Sequence, residues 1–163
     1  MKKRGRRPSA MAIDLLVREM LFGYFRLSAT GERIFAPLGQ TPGKVSLMRS
    51  LMEEGPQSVA QIARARPVAR QGVQRMADEL AAAGLVEFVE NPSHRRAKLA
   101  RLTQAGKKLM GEAMAAELRW AARYTHQFSD REVEITRDVI RRLTRILAEE
   151  NVPRAAATKP RAR

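Results

Sequence analysis

Cysteine is absent from the 163 residues, which excludes disulfides, thiolate-held zinc and cysteine-based redox sensing. Only two histidines occur, His94 and His126, too far apart in sequence to suggest a metal cluster or a catalytic triad. Aromatic residues are scarce, with one tryptophan, two tyrosines and five phenylalanines, mostly at apolar helical positions. An RNA-binding surface usually offers exposed rings for base stacking, so this scarcity argues against that class. Long apolar runs are missing as well. Asp14, Arg18 and Glu19 interrupt the most apolar N-terminal stretch, so neither a signal peptide nor a membrane span is expected. Gly39 and Gly43-Lys44 only superficially suggest a phosphate-binding loop, because the glycine spacing is one short and Val45 stands at the Ser/Thr position. The expectation is a cytoplasmic protein that is not an enzyme, with no metal, no cofactor and no membrane partner.

What the chain has in excess is positive charge. Its net charge is +14, with 31 bases against 17 acids. Lys2, Lys3, Arg4, Arg6 and Arg7 lie in an N-terminal arm over residues 1–8, and Arg154, Lys159, Arg161 and Arg163 lie in a C-terminal tail over 152–163. Neither segment contains an acid, and both are expected to be disordered and to neutralise phosphate without reading sequence. The N-terminal run differs by an extra arginine from the Arg-Gly-Arg-Pro core of an AT-hook, so it reads as a simple basic tail. The body between the arms, about 9–151, is of a size to bury one core.

Within that body the most informative stretch runs from Val68 to Gly106. Val73, Met76, Ala77 and Leu80 recur at i, i+3, i+4 and i+7, forming an apolar helical stripe, and Gly84 supplies a stop. Gln71, Gln74, Arg75 and Asp78 form the opposite stripe. Amides and guanidinium groups in such a row fit adenine and guanine edges in a major groove, whereas an ordinary surface helix needs only polar residues there. Leu85 to Val89 then reads as a strand, Asn91-Pro92-Ser93 as a turn, and Ala97 to Leu102 as the returning strand. The hairpin tip carries His94, Arg95 and Arg96. Adjacent arginines on a projecting loop repel each other unless a polyanion neutralises them, and a narrow minor groove is a natural host.

These residues resemble the MarR family of winged helix-turn-helix regulators. The resemblance rests on Ala82-Ala83-Gly84-Leu85-Val86, Asn91-Pro92-Ser93-His94-Arg95-Arg96 and Leu102-Thr103-Gln104-Ala105-Gly106, and it extends over about residues 10 to 150. Asn91 and His94 stand where the family pattern has aspartates, the second of which braces a wing arginine. Ala69 stands where the family commonly has a capping Ser or Asp. The resemblance implies a mainly α fold with a small β-hairpin wing, a DNA-binding lobe at about 41–102 and dimerisation helices at about 9–29 and 103–150.

The flanking sequence agrees with that architecture. Ser9 to Leu27 is an apolar helix, Thr41-Pro42 starts a second helix that Gly55 ends, and Ser58 with Gln61 has the spacing of a capping box for a short third helix. Leu109, Ala113, Ala116, Trp120 and Tyr124 predict a helix of six or seven turns. A second capping box, Ser129 with Glu132, precedes a stripe of Val133, Thr136, Ile140, Leu143 and Leu147.

The reading is a sequence-specific transcriptional regulator, a homodimeric repressor on a palindromic double-stranded DNA operator. Arg70, Gln71, Gln74 and Arg75 are the expected groove contacts of the helix, and Arg95 and Arg96 those of the wing. The resemblance further implies release by a small aromatic or anionic effector in a cleft beside the dimerisation helices, for which Phe25, Trp120 and Tyr124 are the candidate lining. The alternatives are a chromosome-structuring protein with little sequence preference and, less well supported, a basic RNA-binding protein.

Overall fold

A computed structural model describes residues 7–65, 68–93 and 97–150. The chain divides into two compact units, residues 1–120 and 121–163. The first unit opens with α1 (Ala10–Phe35), capped by Ser9, whose Oγ accepts from the Ala12 N–H at 3.2 Å. This helix runs past the expected end near residue 29 because its last turn has a core to join. Phe35 is buried, and Gly31 lets the helix approach Pro42 so closely that a Cβ would sit 3.0 Å from the proline ring. A short 3-10 turn then leads to α2 (Pro42–Glu54), where the Thr41 hydroxyl accepts from the Lys44 N–H and proline occupies the first turn, as the sequence predicts.

The strands β1 (Gln57–Ser58), β2 (Val86–Val89) and β3 (Leu99–Leu102) form an antiparallel sheet in the order β1-β3-β2. The expected hairpin is therefore two thirds of the sheet. β1 pairs Gln57 with Ala100 and Ser58 with Leu99, and two residues are too few to show an alternation in sequence. Gln57 is buried yet satisfied, its Nε2 donating to both the backbone carbonyl and the hydroxyl oxygen of Ser50 at 3.2 Å.

Ser58 and Gln61 make the reciprocal capping box at the start of α3 (Val59–Ala65): Gln61 Oε1 accepts from the Ser58 N–H at 2.8 Å, and Ser58 Oγ accepts from the Gln61 N–H at 3.3 Å. α4 (Arg70–Ala82) follows and buries Val73, Ala77 and Leu80 against Val45, Met48 and Ile62 in one core, to which Met110 of α5 (Gln104–Ala121) also belongs. Gly84, at φ +70°, turns the chain out of α4 into the sheet.

The Leu102 to Gly106 segment forms a junction under the sheet. The Thr103 hydroxyl donates to the Gly84 carbonyl at 2.7 Å and accepts from the Gly106 N–H at 3.1 Å, while the Thr103 N–H donates to Leu85 O. A side chain at Gly106 would collide with the Leu85 carbonyl oxygen. Arg49 and Glu117 join α2 to α5 by an ion pair at 2.5 Å.

α5 is an 18-residue helix, about five turns, and not the six or seven expected. The chain tightens into a 3-10 helix over Ala122–Gln127, so Leu109, Ala113, Ala116 and Trp120 lie on the α-helix and Tyr124 does not. This 3-10 segment belongs to the second unit. There Ser129 and Glu132 form the expected capping box at the start of α6 (Asp130–Glu150), with the Ser129 N–H donating to Glu132 Oε2 at 2.9 Å and the Glu132 N–H to Ser129 Oγ at 3.3 Å. The Ser129 N–H and, at 2.7 Å, the Ser129 hydroxyl both donate to Glu132 Oε2 and hold that carboxyl below its ordinary range. No residue of α6 is buried.

Candidate nucleic-acid interface

α4 turns its apolar stripe into the core and leaves Arg70, Gln71, Gln74, Arg75 and Asp78 exposed. The helix has no side-chain cap at Ala69, as its small apolar side chain dictates, and the Gly72 N–H turns to the Ala69 carbonyl at 2.9 Å instead. Four of the six residues predicted to touch DNA thus share one solvent-facing side of a helix clamped on its other side. The wing residues Arg95 and Arg96, with His94, lie outside the described residues. In the described part of the hairpin, the Asn91 side chain accepts from the Ser93 N–H at 3.0 Å, the Asx turn expected of Asn91-Pro92-Ser93. Glu87 and Arg101, opposite each other on β2 and β3, pair at 2.8 Å and hold the strands in register.

Between α4 and the base of the wing lies a groove of about 270 Å³ lined by Arg70, Gln74 and Asp78 on one side and by Ser58, Phe88 and Lys98 on the other. Lys98 was not singled out in the sequence. It follows Arg95 and Arg96 closely enough that it could have been read with them, but only the pairing of β2 with β3 brings it opposite Arg70.

Electrostatics tie two of the predicted contact residues to neighbouring carboxylates. The Gln74 amide nitrogen donates to Asp78 Oδ1 at 2.8 Å. Arg75 Nε lies 3.8 Å from Glu79 Oε1, and the other Glu79 oxygen takes Lys44 Nζ of α2 at 2.9 Å. The Lys44 ammonium, more than Arg75, holds the Glu79 carboxyl below its ordinary range.

The candidate effector residues lie on three different elements. Phe25 is 60% exposed on α1 and stacks edge-on against Tyr24, with ring centroids 5.7 Å apart. Trp120 is half-buried on α5, and Tyr124 is exposed in the second unit. A cleft of about 570 Å³ does lie beside α1, but Tyr24, Leu27, Pro42, Val68 and Met76 are among its lining and Phe25, Trp120 and Tyr124 are not. Among the described residues no histidine and acid cluster could hold a metal ion, and no helix is long and apolar enough to cross a membrane.

Comparison with known proteins yields a consistent result. A sequence model of the MarR family matches residues 38–97, from the end of the 3-10 turn after α1 to just before β3. An uncharacterized protein of Mycobacterium tuberculosis is 32% identical over 117 residues, covering 72% of this chain and 81% of that protein. The crystal structure of a MarR family transcription regulator superposes with a TM-score of 0.74 at 26% identity, covering 85% of this chain and 91% of the other. A point mutant of MarR from Escherichia coli, crystallised with operator DNA, shares the fold with a TM-score of 0.70 at 18% identity, over 84% of this chain and 99% of its own.

Proposed function

Because this chain belongs to the MarR family of DNA-binding transcriptional regulators, we propose that it is a homodimeric repressor that reads a palindromic operator through Gln71, Gln74 and Arg75. One observation carries this reading: the exposed side of α4 bears amides and guanidinium groups while its other side is locked in the core, so those groups are presented rigidly. Arg70 and Lys98 flank the groove as phosphate or base contacts, and the wing arginines Arg95 and Arg96 extend the contact to the minor groove or backbone.

Dimerisation is supported by apolar side chains that the monomer leaves in water. On α1, Met11, Leu15, Leu21, Phe22 and Phe25 are all more than half exposed. On α6, Val133, Ile135 and Ile146 are at least half exposed. Such surface calls for a partner, and a second copy with a two-fold axis requires matched half-sites about 34 Å apart. The cleft beside α1 is lined mostly by apolar side chains with Glu32 as its charged group, so it suits a small aromatic effector better than an anionic one. An effector releases DNA only if it binds better to a dimer whose recognition helices do not fit the operator.

The deciding experiment is selection of bound DNA from a random duplex pool at near-physiological salt, followed by affinities for selected and scrambled sites with double-stranded RNA as competitor. An enriched palindrome bound at least about a thousandfold tighter than scrambled DNA is expected. Salt-sensitive binding to every duplex without enrichment would instead assign a chromosome-structuring role, and effective competition by RNA an RNA-binding one.

A further inference from the structure

Both central reader candidates on α4 have a carboxylate one helical turn beyond them, but the two carboxylates differ. Glu79 is shared between Arg75 and Lys44. When Arg75 leaves for a base edge, Glu79 keeps its cation, so Arg75 is free to move. Asp78 has no cation within ion-pair distance among the described residues; its partner is the amide of Gln74 at 2.8 Å.

That contact fixes more than a rotamer. An ionised carboxylate offers only acceptors, so the amide must turn its nitrogen toward Asp78 and commit one of its two hydrogens there. Gln74 is left with one N–H and one carbonyl oxygen for anything in the groove. Adenine presents the complementary pair on its major-groove edge, the N7 acceptor beside the N6 amino donor, whereas guanine presents two acceptors, N7 and O6. An untethered amide can swing its hydrogens toward the guanine acceptors. A tethered one cannot do so without abandoning Asp78.

We propose that Asp78 is a positioning residue that holds Gln74 as a donor–acceptor reader and thereby makes it select adenine over guanine. This rests on the reading of α4 as the base-reading helix. Asp78 lies at the groove between α4 and the wing, where Arg70 and Lys98 offset part of its repulsion of phosphate. The remaining repulsion weakens binding to all duplexes alike, so the effect of charge can be separated from the effect on base choice.

The test uses the full chain in four forms: wild type, Gln74→Ala, Asp78→Ala and Asp78→Asn. Each is taken through selection from a random duplex pool and then titrated against site pairs differing only by adenine or guanine. Asp78 is exposed, and matching far-ultraviolet dichroism and melting curves will establish that its variants fold. Gln74→Ala is expected to abolish the preference at one base position of each half-site. Asp78→Ala should lower the adenine-over-guanine ratio at that same position by about tenfold, whereas Asp78→Asn, which keeps an acceptor oxygen, should stay within about threefold of wild type. Both Asp78 variants lose the charge, so both should bind random duplex more tightly by the same factor. The inference is overturned if Asp78→Ala keeps the wild-type ratio at a position that Gln74→Ala relaxes, or if Asp78→Asn relaxes it as fully as Asp78→Ala. If Gln74→Ala alters no position, base reading by Gln74 itself fails, and the role of Asp78 falls with it.

Discussion

Arg75 projects from α4 with 80% of its side chain exposed, held among the described residues by a long contact to Glu79. A guanidinium that gives up so little on leaving its partner is well placed to take a guanine edge in bidentate fashion. Arg75→Ala should therefore lose about 1–3 kcal/mol on the selected operator and relax one base position, with little change on random DNA. Equal losses on both DNAs, measured by titration at one salt concentration, would make Arg75 a phosphate contact. At Gly106 the constraint is steric. Gly106→Ala drives a methyl group into the Leu85 carbonyl at the point where Thr103 ties α5 to the turn after α4. A loss of at least about 2 kcal/mol in urea denaturation is expected, since backbone on this scale cannot shift cheaply. The polar stripe of α4 was legible in the sequence because it obeys the helical period. The ion pair of Lys44 with Glu79 was not, because residues 35 positions apart leave no periodic trace.

At the scale of elements, α2 and α4 are joined at their exposed edge by that ion pair, and its strength depends on pH. The folded-state Glu79 carboxyl lies below its ordinary value of 4.5. Its contribution is therefore complete above about pH 4.5 and is lost as the pH falls through the lowered folded value. Glu79→Gln should narrow the stability difference between pH 6 and pH 3 relative to wild type, read as urea midpoints across that range. Identical acid limbs for the two proteins would show that the pair is fully screened by solvent. Capping chemistry was the most legible feature at this scale. Thr41, Ser58 and Ser129 all cap the helices they precede as expected, because a hydroxyl at the right offset bonds only to nearby N–H groups; Ser9 caps α1 in the same way without having been singled out. The end of α1 and the whole of β1 escaped, since their placement depends on distant partners, Pro42 for Gly31 and β3 for Gln57 and Ser58.

At the scale of the whole molecule, two surfaces ask for something outside the chain: the exposed apolar side chains of α1 and α6, and the positive charge. A glutamate at Phe22, 63% exposed on α1, should cost a monomer almost nothing but must be desolvated in a dimer. Sedimentation is therefore expected to show the wild type as the proposed dimer and Phe22→Glu as monomers, with binding to a single half-site retained at much reduced affinity; an unchanged dimer would place the interface away from this stretch of α1. Charge makes a separate prediction, because nine of the 31 bases lie in the arms at residues 1–8 and 152–163, without a single acid among them. Each phosphate neutralised by such a base contributes about −0.9 to the slope of log affinity against log salt concentration, whatever the DNA sequence. Deleting both arms should therefore flatten that slope on the operator and on scrambled DNA equally, leaving the ratio of the two affinities nearly constant at any one salt concentration. If the slope stays where it was, the body of the protein makes the phosphate contacts alone; if the ratio collapses, the arms discriminate among sequences and α4 is not the only reader.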